Sequence, residues 1–195
     1  MRRDLTSSAL AVLVLTLLLG VAYPLVTTGV SQVLWPNKAD GSQVERDGKT
    51  IGSRLIGQDF AGKPRYFQSR PSATGYSADV TYFNNLGPNN RELRDLFADN
   101  LAAYLARERR HNPGLTASDV PPDAVQTAGS GVDPHISTEN ARIQARRVAA
   151  LRGIDLDRVL ELVDANTDGR GLGLFGEPGV NVLDLNLAID AEARQ

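Results

Sequence analysis

The sequence predicts an α/β (mixed α+β) soluble domain following a single N-terminal transmembrane helix. Three observations predict it. An uncharged apolar stretch lies near the N-terminus; three later segments carry apolar residues at helical spacing behind capping residues; and short apolar pieces alternate with Gly, Pro, Ser and Asn elsewhere.

A length of 195 residues suits one domain plus an anchor. The 21 basic and 23 acidic residues leave a net charge of −2, without the basic excess that a nucleic-acid-binding surface requires. The chain has no cysteine, which excludes disulfides, thiolate nucleophiles, thiolate metal sites and a cysteine-linked lipid anchor.

No charge occurs between Asp4 and Lys38, and Leu10 to Val30 is almost continuously apolar. As a helix those 21 positions span roughly 30 Å, the thickness of a bilayer's hydrocarbon core. The hydroxyls of Thr16, Thr27 and Thr28 can return to the helix backbone, Pro24 marks a kink or a change in packing, and Trp35 suits the interfacial aromatic belt. The competing reading is a cleaved signal peptide, with Gly20-Val21-Ala22 as the processing site. The apolar run continues for eight residues past that site, which favours retention. Arg2 and Arg3 flank one end and Lys38 is the first basic residue beyond the other, so the N-terminus reads as cytoplasmic and the body as extracytoplasmic. The organisation is a short N-terminus (1–9), a transmembrane helix (10–30), a juxtamembrane segment (31–50) and one soluble domain (51–195).

Within that domain, residues 36–90 are expected to form short strands and turns. Asn89, with Glu92 three residues on, is expected to cap a helix carrying Leu93, Leu96, Phe97, Leu101, Tyr104 and Leu105 and stopping before Pro113. A polar connection leads to a second helix from near Ser137 to Gly153, and Asp155 caps a third with Leu156, Val159, Leu160 and Val163 on one face. The alternation of Leu183, Leu185, Leu187 and Ile189 predicts a final strand over 180–189.

Several motifs suggest chemistry without completing it. Gly48-Lys49-Thr50 ends like a phosphate-binding loop, but that loop needs glycine where Gln43 stands. Asp164, Asn166, Asp168 and Gly169 open like a calcium loop, yet its twelfth position is Phe175 rather than glutamate. Ser130, Asp133 and His135 are the residue types of a hydrolase triad, but three groups within six residues do not converge in the required order. His111 and His135 are the only histidines, so a transition-metal site would have to gather carboxylates from afar. An ordinary turn, cap or glycine loop accounts for each.

The ordered motifs YPLVTTGVSQVLWP (23–36), GSRLIGQDF (52–60), YFQSRPSATGY (66–76), NNLGPNN (84–90), GSGVDPHISTENARIQARRVA (129–149) and GEPGVNVLDLNLAID (176–190) cover nearly the whole chain. In this order they resemble the KdpC family, the C subunits of bacterial Kdp-type potassium-transporting P-type ATPases. Gly179 stands where that family commonly has a basic residue. The resemblance implies an accessory, non-catalytic subunit in the bacterial inner membrane. Its implied partners are a potassium-channel-like subunit, an ATP-hydrolysing P-type subunit, a small membrane subunit and membrane lipid. It also implies a catalytic chaperone that raises the hydrolytic subunit's ATP affinity, with ATP as a ligand and no tightly bound cofactor or metal. The expected partner or nucleotide contacts are Gln68 and Arg70 in YFQSRPS and Asp133, His135 and Ser137, read as the start of a helix. The alternatives are a membrane-anchored hydrolase using Ser130 and His135, and a secreted binding protein released by signal cleavage.

Overall fold

The computed structural model describes residues 2–46, 48–80 and 85–192. The chain divides into two compact units, Met1–Ser53 and Arg54–Gln195.

The first unit is dominated by an apolar helix, Arg2–Leu34, longer at both ends than the apolar stretch alone. Among the described residues it is the one helix long and apolar enough to cross a membrane. It comprises α1 (Arg2–Leu17), a π turn (Leu18–Ala22) and α2 (Tyr23–Leu34). The π turn has a local cause in Pro24, which lacks an N–H and whose ring would crowd the carbonyl four residues back. The register slips by one residue just before it, so that the Tyr23 N–H donates to Leu18 O. Thr27 Oγ1 then donates to the Tyr23 and Pro24 carbonyls, both at 3.0 Å, returning its hydroxyl to the helix backbone as expected. A short α3 (Pro36–Ala39) and an antiparallel hairpin of β1 (Gln43–Arg46) and β2 (Lys49–Ser53) complete the unit. Gly48, at φ 72°, lies in the hairpin's turn and Lys49-Thr50 in its second strand, so this basic turn precedes no helix of the kind a phosphate-binding loop opens.

The second unit is helical around a small sheet. Its first helix is α4 (Arg91–Glu108), and the cap falls one residue later than expected: Asn90, not Asn89, accepts the Glu92 N–H. Asn84 of the NNLGPNN motif lies outside the described residues. After the connection come β3 (His135–Ile136), α5 (Thr138–Arg152), α6 (Leu156–Ala165), β4 (Thr167–Asp168), β5 (Gly179–Asn181) and α7 (Val182–Glu192). The strands form an antiparallel sheet in the order β3-β5-β4. Ser137 Oγ caps α5 by accepting the Asn140 N–H, and α5 ends at Gly153, which takes the left-handed C-terminal position at φ 72°. Asp155 caps α6 as expected.

The predicted strand over 180–189 is corrected. Only Gly179–Asn181 is strand, and the chain turns there into α7. Val182, Leu185, Asn186 and Ile189, at helical spacing with a polar residue among them, form its buried face, and Leu183 beside them is buried too. The core gathers Phe67, Ile136, Ala141, Ala145, Val148, Val159, Val163, Val180, Val182, Leu185 and Ile189 from α5, α6, α7, the sheet and one irregular segment.

Candidate functional site

That irregular segment, 64–72, carries the YFQSRPS motif and has no partner strand among the described residues. Its buried amides and carbonyls must therefore find side chains. Asn186 of α7 accepts the Phe67 N–H at 2.8 Å and donates to the Phe67 carbonyl at 3.0 Å. One residue on, Gln144 of α5 accepts the Gln68 N–H at 2.7 Å and donates to its carbonyl at 3.1 Å. Two primary amides thus take the place of a neighbouring strand. Arg147 caps further carbonyls, donating to Pro64 O, to Tyr66 O at 3.0 Å and to Gln144 Oε1 at 2.9 Å. It also pairs through Nε with both oxygens of Glu108 at 3.0 Å, where the two side chains are 1% and 0% exposed. Burial pulls the Arg147 guanidinium below its ordinary pKa, and the Glu108 carboxylate opposes that shift.

The network extends further. Tyr104 donates to Asn140 Oδ1 at 2.9 Å, and Gln144 reaches the same oxygen at 2.9 Å. Burial, reinforced by Glu108, raises the Tyr104 phenol's pKa. Asn140 donates to Asp123, which also accepts from the Ser137 amide and hydroxyl. Tyr66 and Arg152 both bond Asp190, and the Arg152 guanidinium stacks over the Tyr66 ring at 4.4 Å.

The five predicted contact residues occupy defined places here. Gln68 is buried, its side chain donating to Lys63 and Tyr66 carbonyls. A continuous hydrogen-bond path through Gln144, Asn140 and Asp123 links its backbone to Ser137. Arg70 pairs with Asp133 at 2.9 Å, while its Nε is buried without a hydrogen-bond partner among the described residues. Asp133 turns its other oxygen to the His135 amide at 2.9 Å, and His135 Nε2 lies 3.0 Å from Asp168 Oδ2. Arg70, Asp133 and His135 therefore form one half-exposed chain of polar contacts, a different set from those of Gln68 and Ser137. His135 belongs to β3 rather than to a helix start, which corrects that expectation; Ser137 alone is a helix cap. Ser130 Oγ accepts from the Val132 N–H, and His135 is directed to Asp168, so the triad residues are engaged with other partners.

Close backbone approaches fix this surface. A Cβ on Gly57 would come within 2.4 Å of Asp133 O, and Ser72 Oγ donates to Gly131 O at 2.6 Å. Tyr76 donates to Arg70 O at 2.5 Å, and burial, with Asp59 adding to it, pushes its phenol up to about 12. Gly179 packs on His135, whose Cβ would lie 3.2 Å from any Cβ added there, so a basic residue at this position would need the histidine to shift. Sequence reasoning missed Glu108, Asn140, Gln144, Arg147 and Asn186. The available signal was that 140, 144 and 147 share one helical face with Ala141, Ala145 and Val148, making buried partners of polar residues.

The model of the family described as KdpC, K+-transporting ATPase, c chain, matches residues 5–191. The chain belongs to the KdpC family. Relatives named "Potassium-transporting ATPase KdpC subunit" include one from Rhodospirillum rubrum, 50% identical over 97% of this chain and 96% of its own length. Others are from Methylococcus capsulatus, 49% identical over 93% and 94%, and Mycobacterium tuberculosis, 46% identical over 97% and 99%. Family membership makes the chain an accessory subunit of a larger assembly, not a catalyst on its own.

Proposed function

We propose that the chain is a single-pass accessory subunit of a P-type potassium-uptake ATPase in the bacterial inner membrane. The N-terminus is cytoplasmic, and the second unit lies outside, clamped on the potassium-channel-like subunit beside the ATP-hydrolysing and small membrane subunits. The observation that carries this reading is the convergence of the family's motifs into a network of internal hydrogen bonds. Gln68, Ser137, Gln144 and Asn186 spend their polar groups holding backbone in place, which is what a rigid scaffold requires. The chaperone-like effect on ATP affinity is then indirect: a clamp that binds one conformation of the assembly better than another shifts the hydrolytic subunit's equilibrium.

The test is purification of the C-terminally tagged full chain from membranes in mild detergent. Expected are co-purifying subunits with potassium-stimulated ATP hydrolysis, and protease sensitivity of the second unit only from the outer face. Recovery of the chain alone overturns the subunit reading. Protection of Arg70 or His135 by nucleotide in the intact assembly, with no protection by partner subunits, overturns the clamp in favour of direct ATP contact.

A further inference from the structure

The connection between β4 and β5 is a closed hairpin. Gly171 donates to Phe175 O at 2.7 Å and accepts from Phe175 N at 2.9 Å, and Arg170 and Glu177 bridge the two arms at 2.8 Å. This ordered tip displays Leu172, Leu174 and Phe175 at 91%, 79% and 68% exposure. Leu172 also sits at φ 52°, a backbone conformation that disfavours a branched side chain and that glycine or asparagine adopts more easily. An apolar residue therefore stands where both conformation and solvent argue against it. Isolated exposed leucines are unremarkable, but three large apolar side chains on one braced tip mark a contact surface.

The chemistry around the tip selects its occupant. Arg170 is neutralised by Glu177, Asp168 faces His135, and residues 167–181 contain no Lys, Trp or Tyr. A loop seated in a bilayer surface uses basic residues for headgroups and Trp or Tyr for the interface, so this composition points to protein. Three side chains cover on the order of 500 Å² on this side, short of the roughly 800 Å² per partner of a free-standing interface, which argues against a second copy held by the tip alone. Such a small contact suffices when a membrane helix already holds both partners at an effective concentration of about millimolar. Resting on the accessory-subunit reading, we infer that Leu172–Phe175 is a docking knob that seats in an apolar pocket on the extramembrane surface of another subunit of the same ATPase.

The test uses the full chain co-expressed with its ATPase. A photo-crosslinking residue at Leu174 is expected to yield one adduct with the combined mass of this chain and another subunit. Replacing Leu172, Leu174 and Phe175 together by Ser is expected to lower subunit recovery at least tenfold, while the isolated chain keeps its melting temperature. Adducts only with lipid or with a second copy overturn the inference, as does full recovery with the triple variant. Should that variant melt early, the crosslink decides alone. If the unsubstituted chain brings down no other subunit, the accessory reading itself falls; if it does and the knob is dispensable, only the knob falls.

Discussion

Replacing Arg147 by Met tests whether the buried network is held by an ion pair or by its service to the backbone. The substitution keeps the aliphatic volume and leaves Glu108 buried with its 2.7 Å contact to the part-exposed Arg107. Breaking a buried pair from one side costs about 3 kcal/mol at the low end, which the surviving Arg107 contact justifies using. Three further acceptors, Pro64 O, Tyr66 O and Gln144 Oε1, lose a donor, at about 1 kcal/mol each. The single variant should therefore lose about 5–6 kcal/mol. The double variant Glu108→Leu with Arg147→Met removes the stranded carboxylate but does not restore the three lost hydrogen bonds, so it should recover about half and remain about 3 kcal/mol below wild type. Urea unfolding of the full chain in micelles, followed by circular dichroism, measures both. At roughly 2–4 °C per kcal/mol, the single variant should also melt roughly 10–24 °C early. Return of the double variant to within about 1 kcal/mol of wild type would refute the argument, because a self-contained ion pair behaves in that way.

Asn186→Ala removes both bonds to Phe67 and should cost about 2 kcal/mol, with amide exchange accelerating across 66–69 in a peptide-level exchange experiment. Gly57→Ala drives a methyl into the Asp133 carbonyl and should cost about 1–3 kcal/mol by chemical denaturation, whereas Gly114→Ala, with open space around it, should cost less. In alkali, the folded Tyr76 is raised above the ordinary 10 to about 12, so folding favours the neutral phenol. That stability is intact below pH 10 and is lost as pH rises from 10 towards 12. Tyr104 shifts in the same direction, so phenolate absorbance should lag behind that of free tyrosine until the chain unfolds, and Tyr76→Phe should remove only part of the lag.

The helices α5 and α6 were legible because local signals agree with tertiary need: Ser137 and Asp155 cap them, Gly153 separates them, and Val159 and Val163 fall on one face. The α7 helix was not. Its leucines alternate by coincidence, and its true stripe contains Asn186, which reads as exposed unless its partner at Phe67 is known. That partner lies 119 residues away, and Gln144 meets Gln68 across 76, distances at which no local period carries information. The same limit applies to the candidate site. Arg70 and Asp133 were singled out for plausible chemistry, but their pairing joins segments 63 residues apart, and the diversion of His135 to Asp168 comes from β3 and β4 both pairing with β5.

Satisfied buried polar networks restrict alternatives more than they add stability, because any shifted packing strands their donors. Here that restriction reaches the exposed hairpin. Its base strand β5 pairs with both β3 and β4, the Asn181 amide donates to Asn166 O, and the Val182 amide donates to Pro134 O. Asn181 further reaches Arg54 O with its side chain and accepts the Asp184 amide, which starts α7 at a fixed point. The register of the hairpin is thus set at its root by the elements that carry the family's motifs. A knob of three side chains has too little area to tolerate a wandering base, since each degree of freedom frozen on docking subtracts from a small contact. The polar core and the apolar tip therefore work as one design: the first removes beforehand the freedom that the second could not overcome.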